Sequence, residues 1–172
     1  MRTTKVNDIA DATPRERKTK SAAQALQSLM RLCARAEKSS GDAMRLMRTW
    51  GVPEAQRQDV LNKLVELRFI DDKRYAEAYV REKSQLAGWG ARKIAMQLRL
   101  KGVTKGIVYT TLSTIDIDDQ QQHLENKLVK KLRSVKANNS YELRGKLLRY
   151  ALGLGYEYDM VVDVIDKIVE HK

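Results

Sequence analysis

Three glycines divide the sequence at nearly equal intervals. Gly51, Gly102 and Gly155 lie 51 and 53 residues apart in a chain of 172 residues. Apolar residues recur eight and four residues before each glycine, and ten and thirteen residues after it. These positions hold Ala43, Ile94 and Leu147, then Met47, Leu98 and Ala151, then Leu61, Leu112 and Ile165, and finally Leu64, Ile115 and Ile168. Such a period predicts tandem units that bury apolar surface against one another.

The segment from residue 71 to residue 103 shows the pattern of one unit most clearly. Asp71 predicts a helix start, because a carboxylate at that position accepts hydrogen bonds from the free N–H groups of the first turn. Gly88-Trp89-Gly90 ends this helix, and a second helix runs to Gly102, since glycine readily takes the left-handed conformation past a helix end. The helical spacing predicts an apolar inner face, formed by Tyr75, Ala76, Ala78, Tyr79, Leu86, Ile94, Ala95, Leu98 and Leu100.

The same pattern on both sides of this segment predicts an all-α fold. We expect three tandem three-helix repeats that form an elongated, curved helical array. The composition agrees, because Leu, Lys, Arg and Ala favour helices and the chain has only two prolines. The expected divisions are a mobile basic N-terminal tail at 1–21 and repeats at 22–70, 71–117 and 118–172.

The charge balance points to an acidic or polyanionic partner. Lys and Arg number 33 against 22 Asp and Glu, which gives a formal net charge of +11. A positive potential of this kind attracts phosphate groups or acidic protein surfaces. Any single cation also suits an ordinary solvent-facing helix side, so the candidate surface is proposed as a set. Its members are Arg74, Arg81, Lys83, Trp89, Arg92, Lys93, Arg99 and Lys101.

Residue patterns for catalysis or metal binding are absent from the sequence. His123 and His171 are far apart, and neither has a metal-ligand partner at a productive spacing. Gly88-Trp89-Gly90 follows a helix and lacks the other residues of a dinucleotide or triphosphate loop. Asp71 and Asp72 suit helix capping and the helix dipole. We therefore expect no enzymatic activity, no cofactor and no bound metal.

The remaining features concern compartment and assembly. Cys33 is the single cysteine, and its apolar helical neighbours predict a small buried hydrophobe in a reducing compartment. No apolar run is long enough to cross a bilayer, and the N-terminus lacks the apolar segment of a signal peptide. We expect a cytoplasmic monomer without membrane contact.

Two stretches resemble the RecX family, which regulates the bacterial RecA recombinase. They are LVELRFIDDKRYAEAYVREK at 64–83 and GWGARKIAMQLRLKGV at 88–103. The shared pattern is a leucine-rich helix that runs into Ile-Asp-Asp, an aromatic-Ala-x-x-aromatic helix, and a helix ending in Lys-Gly-Val. The resemblance extends more weakly from Leu26 to Ile168.

This resemblance implies three tandem three-helix repeats and a non-enzymatic protein. Such a protein would bind the RecA filament on single-stranded DNA, lie in its groove, and inhibit its ATP hydrolysis, strand exchange and co-protease activity. Some members of the family also contact DNA directly.

The residues themselves are also compatible with a second function. Three-helix units also serve as helix-turn-helix modules, so the chain could be a direct DNA-binding helical-repeat protein, including a transcriptional regulator. A sequence-specific repressor normally dimerises over paired half-sites, and no dimerisation segment is visible in the sequence.

Overall fold

All regular structure in the described part of the chain is helical, as the sequence predicts. The computed structural model describes residues 19–170, so the predicted tail at 1–21 lies almost wholly outside it. The α-helices in this range are α1 Ala22–Cys33, α2 Ser40–Thr49, α3 Glu54–Glu66, α4 Asp72–Arg81, α5 Ala91–Leu100, α6 Lys105–Leu112, α7 Ile117–Leu132, α8 Ser140–Gly153 and α9 Tyr158–Glu170. A π-helical turn, Glu82–Leu86, continues directly from α4.

Short polar side chains fix where several of these helices begin. The side-chain oxygens of five residues accept hydrogen bonds from backbone N–H groups of the first turn, and these residues are Ser21, Ser39, Asp71, Asp116 and Asn139. Each bond satisfies a donor that has no partner within the helix. The cap predicted at Asp71 is therefore confirmed.

The three glycines of the sequence period end the middle helix of each unit. Gly51, Gly102 and Gly155 follow α2, α5 and α8 with φ angles of +67°, +80° and +87°. This left-handed conformation is cheap only for glycine. The period seen in the sequence thus reflects a repeated helix end.

Each set of three consecutive helices encloses its own apolar core. Leu29, Met47 and Leu64 are fully buried among α1, α2 and α3. The second core lies among α4, α5 and α6 and the third among α7, α8 and α9, and their fully buried members include Ile94, Leu98, Leu124, Leu128 and Leu147. The predicted three-helix repeats are confirmed, whereas the expectation that neighbouring units bury their apolar surface against one another is wrong, because each core closes within its own unit.

The units join through the ends of their middle helices. The hydroxyl of Ser39, which caps α2, donates a hydrogen bond of 2.7 Å to the carbonyl of Lys101 at the end of α5. In the same way, the N–H of Gly90 at the start of α5 donates to the carbonyl of Leu154 at the end of α8, at 2.8 Å. The helices α8, α5 and α2 therefore meet end to end, and each positive N-terminus faces a negative C-terminus. We call this arrangement the helix row.

Two residues expected on the inner face of the second unit are exposed. Leu86 is 82% exposed, whereas Ser84 in the same π-helical turn is buried. A π-helical turn holds more residues than an α-helical turn, so the apolar stripe of α4 does not continue through it. Leu100 is 69% exposed, because it lies on the same side of α5 as Met96 and opposite Leu98.

Between residues 19 and 170, no helix combines the length and the apolar character that a bilayer crossing requires.

Candidate interaction surface

The outer side of α5 carries four exposed residues. Arg92, Met96, Arg99 and Leu100 are exposed, and their spacing of four, three and one residues places them on one side of the helix. Ile94 and Leu98 on the opposite side are fully buried. The core thus fixes which side of α5 faces solvent.

The corresponding side of α2 continues this surface. Met44 is half-buried and Arg45 and Arg48 are exposed, and together with Arg99 and Leu100 they line a surface cavity of about 440 Å³ where the two helices meet. Gly41 and Gly102 also line the cavity. We call this surface the arginine face, defined by Met44, Arg45, Arg48, Arg92, Met96, Arg99 and Leu100.

The cations of the arginine face differ in their pairing. Arg45 forms an ion pair with Asp42. In the part of the chain that the structure describes, Arg48, Arg92 and Arg99 have no acidic oxygen within 4 Å. The arginine face includes no acidic residue. These three guanidinium groups are therefore available to an anionic partner.

Trp89 forms the centre of a second cluster, at the start of α5. It is half-buried against the second core. The ammonium nitrogen of Lys93 lies 4.4 Å from the centre of its ring, and that of Lys83 lies 5.4 Å from it. Both distances suit a cation–π contact. Two lysines of the candidate surface therefore already contact the Trp89 ring.

Lys83 and Lys93 also have other partners. Lys83 lies 2.6 Å from the carboxylate of Glu82, and this hydrogen bond raises the pKa of the Lys83 ammonium group. Lys93 contacts Gly155 at the junction of the second and third units, and its ammonium group donates to the carbonyl of Gly153 at 3.4 Å. Lys93 is thus part of the junction as well as of the candidate surface.

Two further candidates tie the first unit to the second. The guanidinium Nε of Arg74 donates to Glu37 at 2.7 Å, and this hydrogen bond raises the pKa of Arg74. The ammonium group of Lys101 lies 3.6 Å from the carboxylate of Asp42. A partner would have to compete with these carboxylates, so the two residues are weaker candidates than Arg92 and Arg99.

Arg81 lies in a different setting. At the end of α4 it lines a cavity of about 410 Å³, whose wall also contains Glu77, Asp116, Asp119 and His123. The neighbouring carboxylates reduce the positive potential there. In the described range, no group of three His, Cys, Asp or Glu residues is arranged to hold a metal ion.

The sequence analysis missed the arginines of the first unit. Arg48 occupies the same place relative to Gly51 as Arg99 does relative to Gly102. Alignment of the three units would have shown this equivalence, but only the contact between α2 and α5 shows that the two residues face one cavity.

Three-helix units joined through their middle helices, with exposed arginines along one side, define a helical-repeat protein with a candidate interaction surface. A sequence model described as "RecX, second three-helix domain" matches residues 71–112. The chain belongs to the RecX family.

Curated relatives are described as regulatory proteins of this family. "Regulatory protein RecX" of Clostridium botulinum (strain Eklund 17B / Type B) is 33% identical over 121 residues, which are 69% of this chain and 56% of the relative. The protein of the same description from Mycolicibacterium smegmatis is 33% identical over 119 residues, covering 67% of this chain and 63% of the relative. The chain thus spans less than two thirds of the length of these relatives.

Solved structures share the fold. The crystal structure of RecX from Lactobacillus salivarius superimposes with a TM-score of 0.74 at 20% identity, covering 85% of this chain and 95% of that one. A second crystal structure, of a regulatory protein RecX, gives a TM-score of 0.77 at 20% identity and covers 84% and 71% of the two chains.

Proposed function

We propose that this protein regulates a RecA recombinase by binding the RecA nucleoprotein filament on single-stranded DNA. It would lie in the groove of the filament as a cytoplasmic monomer and limit ATP hydrolysis, strand exchange and co-protease activity. Membership of the RecX family supports the proposal, as do the relatives described as regulatory proteins. The action requires binding alone, so no catalytic residue is assigned.

The observation that carries the proposal is the arginine face along the helix row. The arginine face lies on α2 and α5, which together provide about 30 Å of helix at 1.5 Å per residue. A surface of this length suits contact with more than one subunit of a filament. Unpaired Arg48, Arg92 and Arg99 would meet acidic side chains or phosphate groups, while Met96 and Leu100 would add apolar contact.

Direct DNA binding is the second candidate function. The same unpaired guanidinium groups suit a phosphate backbone, and binding through phosphates weakens steeply as the salt concentration rises. Contacts with a protein surface that also include apolar residues depend less on salt. The two candidates therefore differ in a measurable way.

The test is titration of the protein into a cognate RecA that hydrolyses ATP on single-stranded DNA. In parallel, binding of the protein to the same DNA without RecA is measured over a series of salt concentrations. Inhibition at concentrations well below those that bind free DNA is the expected result. Absence of inhibition, with tight DNA binding that is lost in salt, would favour the direct DNA-binding function instead.

A further inference from the structure

The C-terminal ends of α5 and α8 are each covered by the start of another middle helix. The carbonyl of Lys101, just past α5, accepts a hydrogen bond from Ser39, and the carbonyl of Leu154, just past α8, accepts one from Gly90. Both donors are the capping residues of the covering helix. The acceptor in each case directly precedes the left-handed glycine.

The end of α2 has the same geometry, but the residues that cover it come from the segment just before α1. The carbonyl of Trp50 accepts a hydrogen bond of 2.9 Å from the N–H of Lys20. A Cβ on Gly51 would lie 2.7 Å from the methyl group of Thr19, so this side chain fills the space beside the glycine. The ammonium group of Lys20 lies 3.7 Å from the centre of the Trp50 ring.

We infer that Thr19 and Lys20 form a terminal cap that takes the place of a preceding unit and closes this end of the helix row to a second copy of this chain. The bond from Lys20 reaches the same acceptor position that a capping residue reaches at each junction, and like the bond from Gly90 it comes from a backbone N–H. An uncovered end in a stack of repeats would offer its polar and apolar groups to another unit. Head-to-tail contacts between copies of the chain would then build an open filament rather than a closed oligomer. This inference does not depend on the proposed function.

The opposite end of the helix row, at the start of α8, is closed by its sequence. Each observed junction needs a glycine at or near the start of the covering helix. Gly41 lies against Lys101, and Gly90 lies against Gly155, so closely that a Cβ on either would overlap backbone atoms. At the start of α8, the corresponding positions hold Asn139 and Tyr141. Their side chains prevent the same approach to the end of another α2.

The first test isolates the hydrogen bond of the cap. Lys20→Pro removes the backbone donor and the ammonium group, whereas Lys20→Ala removes the ammonium group alone. We expect urea unfolding, followed by tryptophan fluorescence, to give Lys20→Pro a folding equilibrium constant about five- to tenfold below that of Lys20→Ala, the loss typical of one hydrogen bond. Equal stability of the two variants would overturn the inference.

The control for this test is a proline two residues further along. Ala22 is the first residue of α1, where proline is well tolerated because that N–H has no partner within the helix. We expect Ala22→Pro to unfold like the unchanged protein. A loss as large as that of Lys20→Pro would show that proline itself, not the cap, causes the effect.

The second test opens both ends of the helix row. Thr19→Gly together with Lys20→Pro opens the end of α2, and Tyr141→Gly gives α8 a glycine at the position that corresponds to Gly41. In sedimentation velocity, we expect the unchanged protein and each variant with one opened end to be monomeric and the variant with both ends opened to self-associate with rising concentration. A variant with both ends opened that folds and stays monomeric, or a variant with one opened end that self-associates, would overturn the closure of the ends.

Discussion

Gly41 in the first turn of α2 lies directly against the carbonyl group of Lys101, 60 residues further along the chain. A Cβ on Gly41 would overlap both the oxygen and the carbon of that carbonyl. The absence of a side chain therefore allows the first and second units to approach closely enough for Ser39 to reach the same oxygen. This contact aligns α2 with α5 and so creates the cavity that Arg48 and Arg99 share.

Replacement of Gly41 by alanine is expected to destabilise the protein. The added methyl group meets backbone atoms that cannot rotate away, and overpacking of this kind costs about 1–3 kcal/mol. Denaturant unfolding at constant protein concentration measures the effect. Gly106→Ala is the control, because Gly106 in α6 has no atom within 4 Å of an added Cβ. We expect this change to leave stability the same or raise it by up to about 1 kcal/mol.

The junction of the second and third units should respond in the same way. Gly90→Ala places a methyl group against the backbone of Gly155, so a loss of about 1–3 kcal/mol is expected here too. The matched control is Gly145→Ala inside α8, where the single neighbour of an added Cβ is the end of the flexible Arg149 side chain, at 3.7 Å. If both variants were equally stable, the close approach at Gly90 would not be needed for the junction.

Tyr156→Phe is expected to weaken the same junction and to change its response to alkali. The buried hydroxyl of Tyr156 donates to the carbonyl of Gly88 at 3.2 Å, and its loss should cost about 1 kcal/mol at neutral pH. Burial raises the pKa of Tyr156 to about 12. In the unfolded chain tyrosine loses its proton near pH 10.

The sign of the alkaline effect follows from these two pKa values. Between about pH 10 and pH 12 the unfolded chain releases this proton while the folded protein keeps it, so the free energy of unfolding falls as pH rises. In Tyr156→Phe this part of the fall should be absent, which unfolding curves measured across that range would detect. Tyr109→Phe, at an exposed position, should match the unchanged protein at neutral pH. An unaltered alkaline slope in Tyr156→Phe would contradict the prediction.

Charge reversal on the arginine face is expected to weaken binding to the RecA filament. The triple change Arg48→Glu, Arg92→Glu and Arg99→Glu turns three available guanidinium groups into carboxylates. Each exposed ion pair contributes about 0.2–1 kcal/mol to binding. The loss of three ion pairs, together with repulsion by the three new carboxylates, should reduce affinity for the filament at least about tenfold. Circular dichroism of the variant should be unchanged, because the three side chains face solvent. Filament pelleting or fluorescence anisotropy measures the binding.

A control variant with the same change in net charge distinguishes the effect of the arginine face from that of the overall positive charge. Lys105→Glu, Arg133→Glu and Lys136→Glu change the net charge by the same amount at exposed positions outside the arginine face. We expect a much smaller loss of affinity in this variant. Equal losses in the two triple variants would mean that general electrostatic attraction, not the arginine face, is responsible.

Local patterns predicted most of the secondary structure correctly. Asp71 caps α4 and Gly102 ends α5, as their sequence positions indicate. The π-helical turn after Arg81 was not predicted, because its extra residue leaves no distinct mark in the apolar spacing. Leu86 was consequently assigned to the inner face of the helix.

The candidate site was predicted less completely, because whether a basic residue forms an ion pair depends on acidic residues far away in the sequence. Arg74 and Arg92 look alike as basic residues on amphipathic helices. Only the folded chain brings Glu37 to Arg74 and leaves Arg92 without an acidic neighbour among the described residues. The ion pair between Lys101 and Asp42 likewise forms only when the chain folds.

The helices, their ends and the threefold repetition follow from local sequence patterns, since apolar spacing, capping side chains and left-handed glycines act within one or two turns. The folded chain is needed to show which ends of the middle helices meet, and therefore which arginines share a cavity and which cations are already paired. The difference arises because these partners are far apart along the chain. Contacts such as that between Gly41 and Lys101 form only when separate units pack, and no local pattern contains them.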